Sequence, residues 1–172
     1  MKILVKDVIG YYIKDISQYR ESDNIKKDKV NLDEKEEYGF AEGLVLRIIG
    51  QLESGKKLLI LDYHQLDLRK YIGCWIECLL SVTELNEDFI EVLQGKYIKN
   101  YVVPSEERKK YIIPQYTTRD QFFYGLPAIQ INNEILYIFE KDEVSDGEEI
   151  MIKVGRYNLV GYYLIEDCNR SR

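Results

Sequence analysis

The feature that most constrains this chain is a two-residue rhythm of apolar side chains, broken at short intervals by turn residues, which is the signature of pleated strands. Within residues 40–49, Phe40, Glu42, Leu44, Leu46 and Ile48 share one face, while Ala41, Gly43, Val45, Arg47 and Ile49 share the other. A turn at Ser54-Gly55 and a second strand over 57–63 complete a hairpin. The run 73–82 is apolar on both sides and predicts a central strand. Further strands are predicted over 96–103, over 128–131 and 134–139 around an Asn132-Asn133 turn, and over 149–154 and 157–165 after a turn at Asp146-Gly147.

Composition agrees with the rhythm. The 172 residues include 21 Ile, 11 Val and 15 Tyr but only 2 Ala, a balance suited to sheets rather than helix interiors. The expected fold is mainly β with minor α, in antiparallel barrel-like or sandwich lobes. One helix is predicted at the N-terminus, over 1–19, because Val5, Val8, Ile9, Tyr12, Ile13, Ile16 and Tyr19 recur three or four apart; two short strands are the alternative. A second, short helix is predicted over 86–93, with Phe89, Ile90 and Leu93 on one side.

Charge and proline divide the chain. Residues 20–37 are dense in Lys, Arg, Asp and Glu and read as a solvated linker or mobile loop. A first β lobe is expected over 38–103, an exposed Pro-containing connection over 104–126, and a second β lobe over 127–172, the two lobes forming one compact domain or two. Laying Gly73 on Gly147 sets Ile76, Cys78 and Leu80 on Ile150, Ile152 and Val154, and sets the strand ending at Asp62 on the one ending at Glu140. Because any two hairpins of a β protein share period-2 alternation, this weak self-similarity is read as two unrelated meanders in one core, with an internal duplication as the alternative.

Several chemistries are disfavoured by their own mechanics. Gly50 to Lys57 resembles a phosphate-binding loop, but Lys57 replaces the metal-binding hydroxyl and a strand follows where a helix should open. Asp142 to Gly147 resembles the start of a calcium loop, but Val144 stands at the third ligand position. Cys74 and Cys78, four apart on a strand, lie about 13 Å apart and cannot share a metal. No metal or cofactor is expected, and the three cysteines are expected to be reduced. The first apolar run, Ile3-Leu4-Val5, is too short for a signal peptide, so the expected location is the cytoplasm, with no membrane association.

The net charge of -6 opposes binding to nucleic acid. One stretch runs against it. Within 96–124, six basic residues face three acidic ones and are interleaved with seven Tyr and Phe. The candidate binding residues are therefore Lys96, Tyr97, Lys99, Tyr101, Arg108, Lys109, Lys110, Tyr111, Tyr116 and Arg119. Tyr and Arg anchor protein interfaces, whereas rings alternating with cations also suit single-stranded nucleic acid, and rings buried in a core with solvated lysines are the plain structural reading. The function expected is non-catalytic binding of a protein partner or self-association. The alternatives are a small enzyme with a cleft at Asp62, His64, Asp67, Tyr71 and Glu77, and single-strand binding through 96–124.

Overall fold

The structure, a computed structural model, describes residues 1–13, 27–30, 44–62, 64, 66–113 and 125–165. Among them run nine strands: β1 (Lys2–Ile13), β2 (Lys27–Val30), β3 (Leu44–Gln51), β4 (Lys57–Asp62), β5 (Trp75–Glu84), β6 (Glu91–Tyr101), β7 (Leu126–Ile131), β8 (Glu134–Tyr137) and β9 (Glu149–Leu164). A 3₁₀ turn at Leu68–Tyr71 and one helical turn, α1 (Ser105–Arg108), complete them. The fold is mainly β, as the alternation predicts: one mixed sheet in a ring-like arrangement.

The centre of the sheet is a ribbon in which β5 and β9 pair antiparallel, from Ile76 opposite Leu164 to Glu84 opposite Val154. Two arcs spring from it. The first runs from β5 through β1, β3 and β4 to β9; the second runs from β9 through β6, β7 and β8 to β5. Each circuit has five strands, and this forces a departure from the expected antiparallel pattern. Strand direction reverses at every antiparallel neighbour, so an odd circuit closes only if one neighbour is parallel. The two parallel pairings supply this: Ile60 opposite Tyr157 for the first circuit, and Leu80 opposite Leu136 for the second.

Exchanging β5 with β9, β1 with β6, β3 with β7 and β4 with β8 maps the pairings of one circuit onto those of the other. The match extends to single hydrogen bonds. The Val5 amide donates to the Cys74 carbonyl at 3.0 Å, and the Tyr97 amide to that of Glu148 at 2.8 Å. Gly73 donates to Val5 at 2.7 Å, and Gly147 to Tyr97 at 2.8 Å. Both glycines need positive φ, 87° and 82°, which a side chain would strain.

A single core fills both circuits. Ile76, Cys78, Leu80 and Val82 on β5 pack with Ile3, Val5, Leu46 and Ile60 from the first arc and with Tyr97, Ile129, Leu136 and Ile152 from the second. The opposite face of the ribbon carries a smaller core of Leu79 and Val160 under Val103, Tyr111, Ala128 and Tyr137.

Several expectations are corrected. The N-terminal helix over 1–19 is not formed where the chain is described: Lys2–Ile13 is β1, and 14–19 lie outside the described residues. A bulge between Val5 and Asp7 explains the misleading spacing. It turns Val5 and Val8, three apart, to the same buried side and so imitates a helical stripe. The helix over 86–93 is also absent: β6 begins at Glu91, and the Ile90 amide donates to the Val154 carbonyl at 2.7 Å. Within 20–37, Lys27–Val30 is a strand on β1, while the remainder lies outside the described residues, as do 40–43 of the predicted strand over 40–49.

The connection over 104–126 is not wholly exposed. Tyr111 is buried, and Ile112 exchanges two hydrogen bonds with Tyr162 of β9, at 2.7 and 3.1 Å. Gly161 makes this docking feasible, since a Cβ there would sit 2.9 Å from Ile113 and 3.0 Å from the Ile112 carbonyl oxygen. Finally, Cys74 is disulfide-bonded, against the expectation of reduced cysteines, whereas Cys78 is a free thiol buried in the core. Burial pushes the Cys78 thiol pKa upward and keeps the group protonated.

Candidate interaction surface

On the outer face of β6 and the first half of β9, the alternation that buries one set of side chains exposes another. Tyr97 and Gly95 turn inward along β6, and Val92, Gln94 and Lys96 turn out. On β9, Ile152 and Val154 turn inward and Glu149, Met151 and Lys153 turn out. The register sets Val92 opposite Lys153, Gln94 opposite Met151 and Lys96 opposite Glu149. Val92 and Met151 are therefore diagonal neighbours, within reach of each other. Met151 is 73% exposed, Val92 49%, and the preceding Ile90 and Phe89 60% and 41%. Lys153 reaches across to Phe89, its Nζ 5.2 Å from the ring centroid, and donates to the Asn86 carbonyl at 3.3 Å. Phe89, the Lys153 stem, Val92 and Met151 thus form a continuous strip. On the opposite, inward side of β6, Glu91 accepts from Lys56 Nζ at 2.5 Å and from the Tyr157 hydroxyl at 2.8 Å. Burial, and then the Glu91 carboxylate, push the Tyr157 pKa up.

The residues expected to bind from 96–124 do not form one surface. Lys96 lies on the outer strip. Tyr97 is fully buried, its hydroxyl accepting the Lys141 amide at 3.2 Å, and Tyr111 is buried against Tyr163, ring centroids 4.8 Å apart. Burial also pushes the Tyr111 pKa up. Tyr101 is half-buried beside Tyr137, and Arg108 donates from Nε to the Val103 carbonyl at 2.7 Å. Lys99, Lys109 and Lys110 are exposed; the Lys99 amide donates to Asp146, and Lys110 Nζ lies 5.7 Å over the Tyr163 ring. Tyr116 and Arg119 lie outside the described residues. The rings that stacking would require are, where described, largely interior.

The acidic cleft is partly assembled. Asp62, at the end of β4, is fully buried, and its two carboxylate oxygens accept the Leu66 and Asp67 amides at 3.0 Å each. Burial raises its pKa above 3.8, and the two amides work against the rise. Asp67, at positive φ, pairs with Arg69, and Tyr71 meets Tyr162 edge to face at 5.5 Å. Glu77 is elsewhere, accepting from the Met1 amine at 2.5 Å. With both oxygens engaged by backbone, Asp62 anchors the loop that follows it. Among the described residues no group of three His, Cys, Asp or Glu could hold a metal ion, and no helix is long and apolar enough to cross a membrane.

Comparison of the chain with protein-family models, with curated proteins and with solved structures finds no match.

Proposed function

We propose that the protein works by binding protein, without a catalytic step, through the outer face of β6 and the first half of β9. The observation that carries this reading is the set of exposed large apolar side chains Val92 and Met151, diagonal neighbours on the sheet, with Phe89 and Ile90 in the bend that leads into β6. Isolated exposed apolar residues are ordinary, but contiguous ones rimmed by charge mark interaction surfaces. Lys96, opposite Glu149, belongs to the rim of this face. The enzyme reading around Asp62 and His64 has less support, because the Asp62 carboxylate is already engaged by two amides. Single-strand binding has less support because Tyr97 and Tyr111 are buried.

The test is a photo-crosslinking side chain placed at Met151 in the native host, with one at Glu53 as control. Protein adducts at 151 that are missing at 53 are expected. Adducts at neither position, or the same adducts at both, would sink the reading.

Location belongs to the same proposal. The sequence points to the cytoplasm, whereas the disulfide at Cys74 points to an oxidising compartment. Thiol labelling in freshly lysed cells separates the two: three reactive cysteines after denaturation support the cytoplasm, and one supports the alternative. We also infer that the two arcs descend from one duplicated four-strand unit, which the paired hydrogen bonds of Val5 and Tyr97 support.

A further inference from the structure

We propose that the occupant of this face is a second copy of the same chain, related by a twofold axis that lies between two stacked sheets and crosses the strands at Met151. The inference rests on the binding reading above and names its partner.

The outward stripe of β9 reads Glu149, Met151, Lys153: an anion and a cation at equal distances on either side of an apolar centre. A dyad through Met151, perpendicular to the strand, carries Lys153 of one copy over Glu149 of the other, and Glu149 over Lys153. A closed two-subunit interface must be complementary to itself in this way, whereas an unrelated partner would require no such balance. Among the described residues, no ion pair occupies Glu149. The same axis crosses β6 at Gln94, because Gln94 lies opposite Met151. It therefore sets Val92 against the aliphatic stem of Lys96 in the second copy, which buries apolar surface while the ammonium stays in water. At the centre the two Met151 side chains meet, and flexible, polarizable thioethers adapt to each other without fixed geometry.

The equivalent face of the other arc lacks this balance. There Glu77 takes the place of Met151, Trp75 that of Glu149 and Lys2 that of Gln94. Glu77 is engaged by the Met1 amine, and Lys2 lies over the Trp75 ring at 5.1 Å.

Sedimentation equilibrium on the whole chain tests the proposal. The wild type should run at twice 20.4 kDa. Glu149→Lys and Lys153→Glu should each weaken association about tenfold or more, and the double exchange should restore it to within about threefold. Met151→Asp should be monomeric yet still melt in a cooperative transition; should that variant fail to fold, the charge exchange alone decides. A monomeric wild type, or an exchange that fails to restore association, overturns the dimer. If such a monomer still gives adducts to a different protein at position 151, the binding face stands and only the identity of its occupant falls. Loss of both signals removes both.

Discussion

The two seams that join the arcs to the ribbon, β1 on β5 and β6 on β9, share one geometry and differ in what they show to water. Along the first, Trp75 lies under Lys2, and Glu77 is held by the Met1 amine. Along the second, Met151 and Val92 stand uncovered. The same backbone therefore carries one seam closed by its own contacts and one left open, and the open one is the face proposed to bind. The interiors differ in a complementary way. Ile3 packs over Gly50 in the first arc; at the equivalent positions of the second, Gly95 sits against Ile129. Each crossing holds one large residue and one glycine, on opposite strands, so that the volume is kept.

The largest effect that would sharpen this comparison is expected at the crossings. A Cβ at Gly95 would lie 2.3 Å from the Gln130 carbonyl oxygen, a backbone atom that cannot swing away. At Gly50 it would meet Ile3 Cδ1 at 2.8 Å, the free end of a side chain. Gly95→Ala should cost about 3 kcal/mol in urea unfolding and Gly50→Ala about 1 kcal/mol. Equal costs would mean that the two crossings are not the same joint.

Next come two residues at equivalent register positions, Asp62 at the end of β4 and Glu140, three residues beyond β8. Asp62→Asn removes a buried acceptor of two amides and should cost about 2 kcal/mol, while Glu140→Gln, exposed, should stay within about 0.5 kcal/mol. Because the folded pKa of Asp62 is raised above 3.8, the stability it contributes is complete below that value and lost as pH rises through the folded pKa. Asn does not ionise. The penalty of Asp62→Asn should therefore be greatest in acid and shrink toward neutrality; a penalty that grows with pH would show that the amides, not burial, control this carboxyl.

The smallest expected effect is at the closed seam. Lys2→Ala removes a cation above a half-buried Trp75 and should cost about 0.5 kcal/mol, with a change in tryptophan emission. Unchanged emission would mean that the lysine does not cover the ring in solution.

Strands β3, β4, β5, β7, β8 and β9 and the second half of β6 are legible because burial on one face imposes alternation and turn residues punctuate it, whereas the charged β2 inside 20–37 shows no such pattern. The two segments read as helices have physical causes. A bulge inserts one residue into β1 and turns Val5 and Val8, three apart, to the same buried side. At 89–93, Phe89 and Ile90 belong to a bend, and only Leu93 to the inward face of a strand. Of the face proposed to bind, Lys96 is among the candidates the charge pattern offers and Met151 is not, although the sequence carries a signal for it: in the predicted strand over 149–154, Met151 is an apolar residue on the side that Glu149 and Lys153 mark as outward. Tyr97 and Tyr111, the rings that lie among the cations of 96–124 in sequence, are buried in the core. The parallel seams were beyond the reach of pattern, since they follow from closing a circuit and not from any local run.

Those seams bear on how the chain can fold in time. β4 seats on β9, and β8 seats on β5, so each arc closes on the ribbon strand contributed by the other half. During synthesis the first arc has no seat until residues 157 and 158 emerge, nearly a hundred residues after Ile60 and Leu61. Such distant pairings make folding late, slow and all-or-none. Until then, the edge of β4 waits unpaired in a nascent chain, where the β9 of a neighbouring molecule could fill the same place.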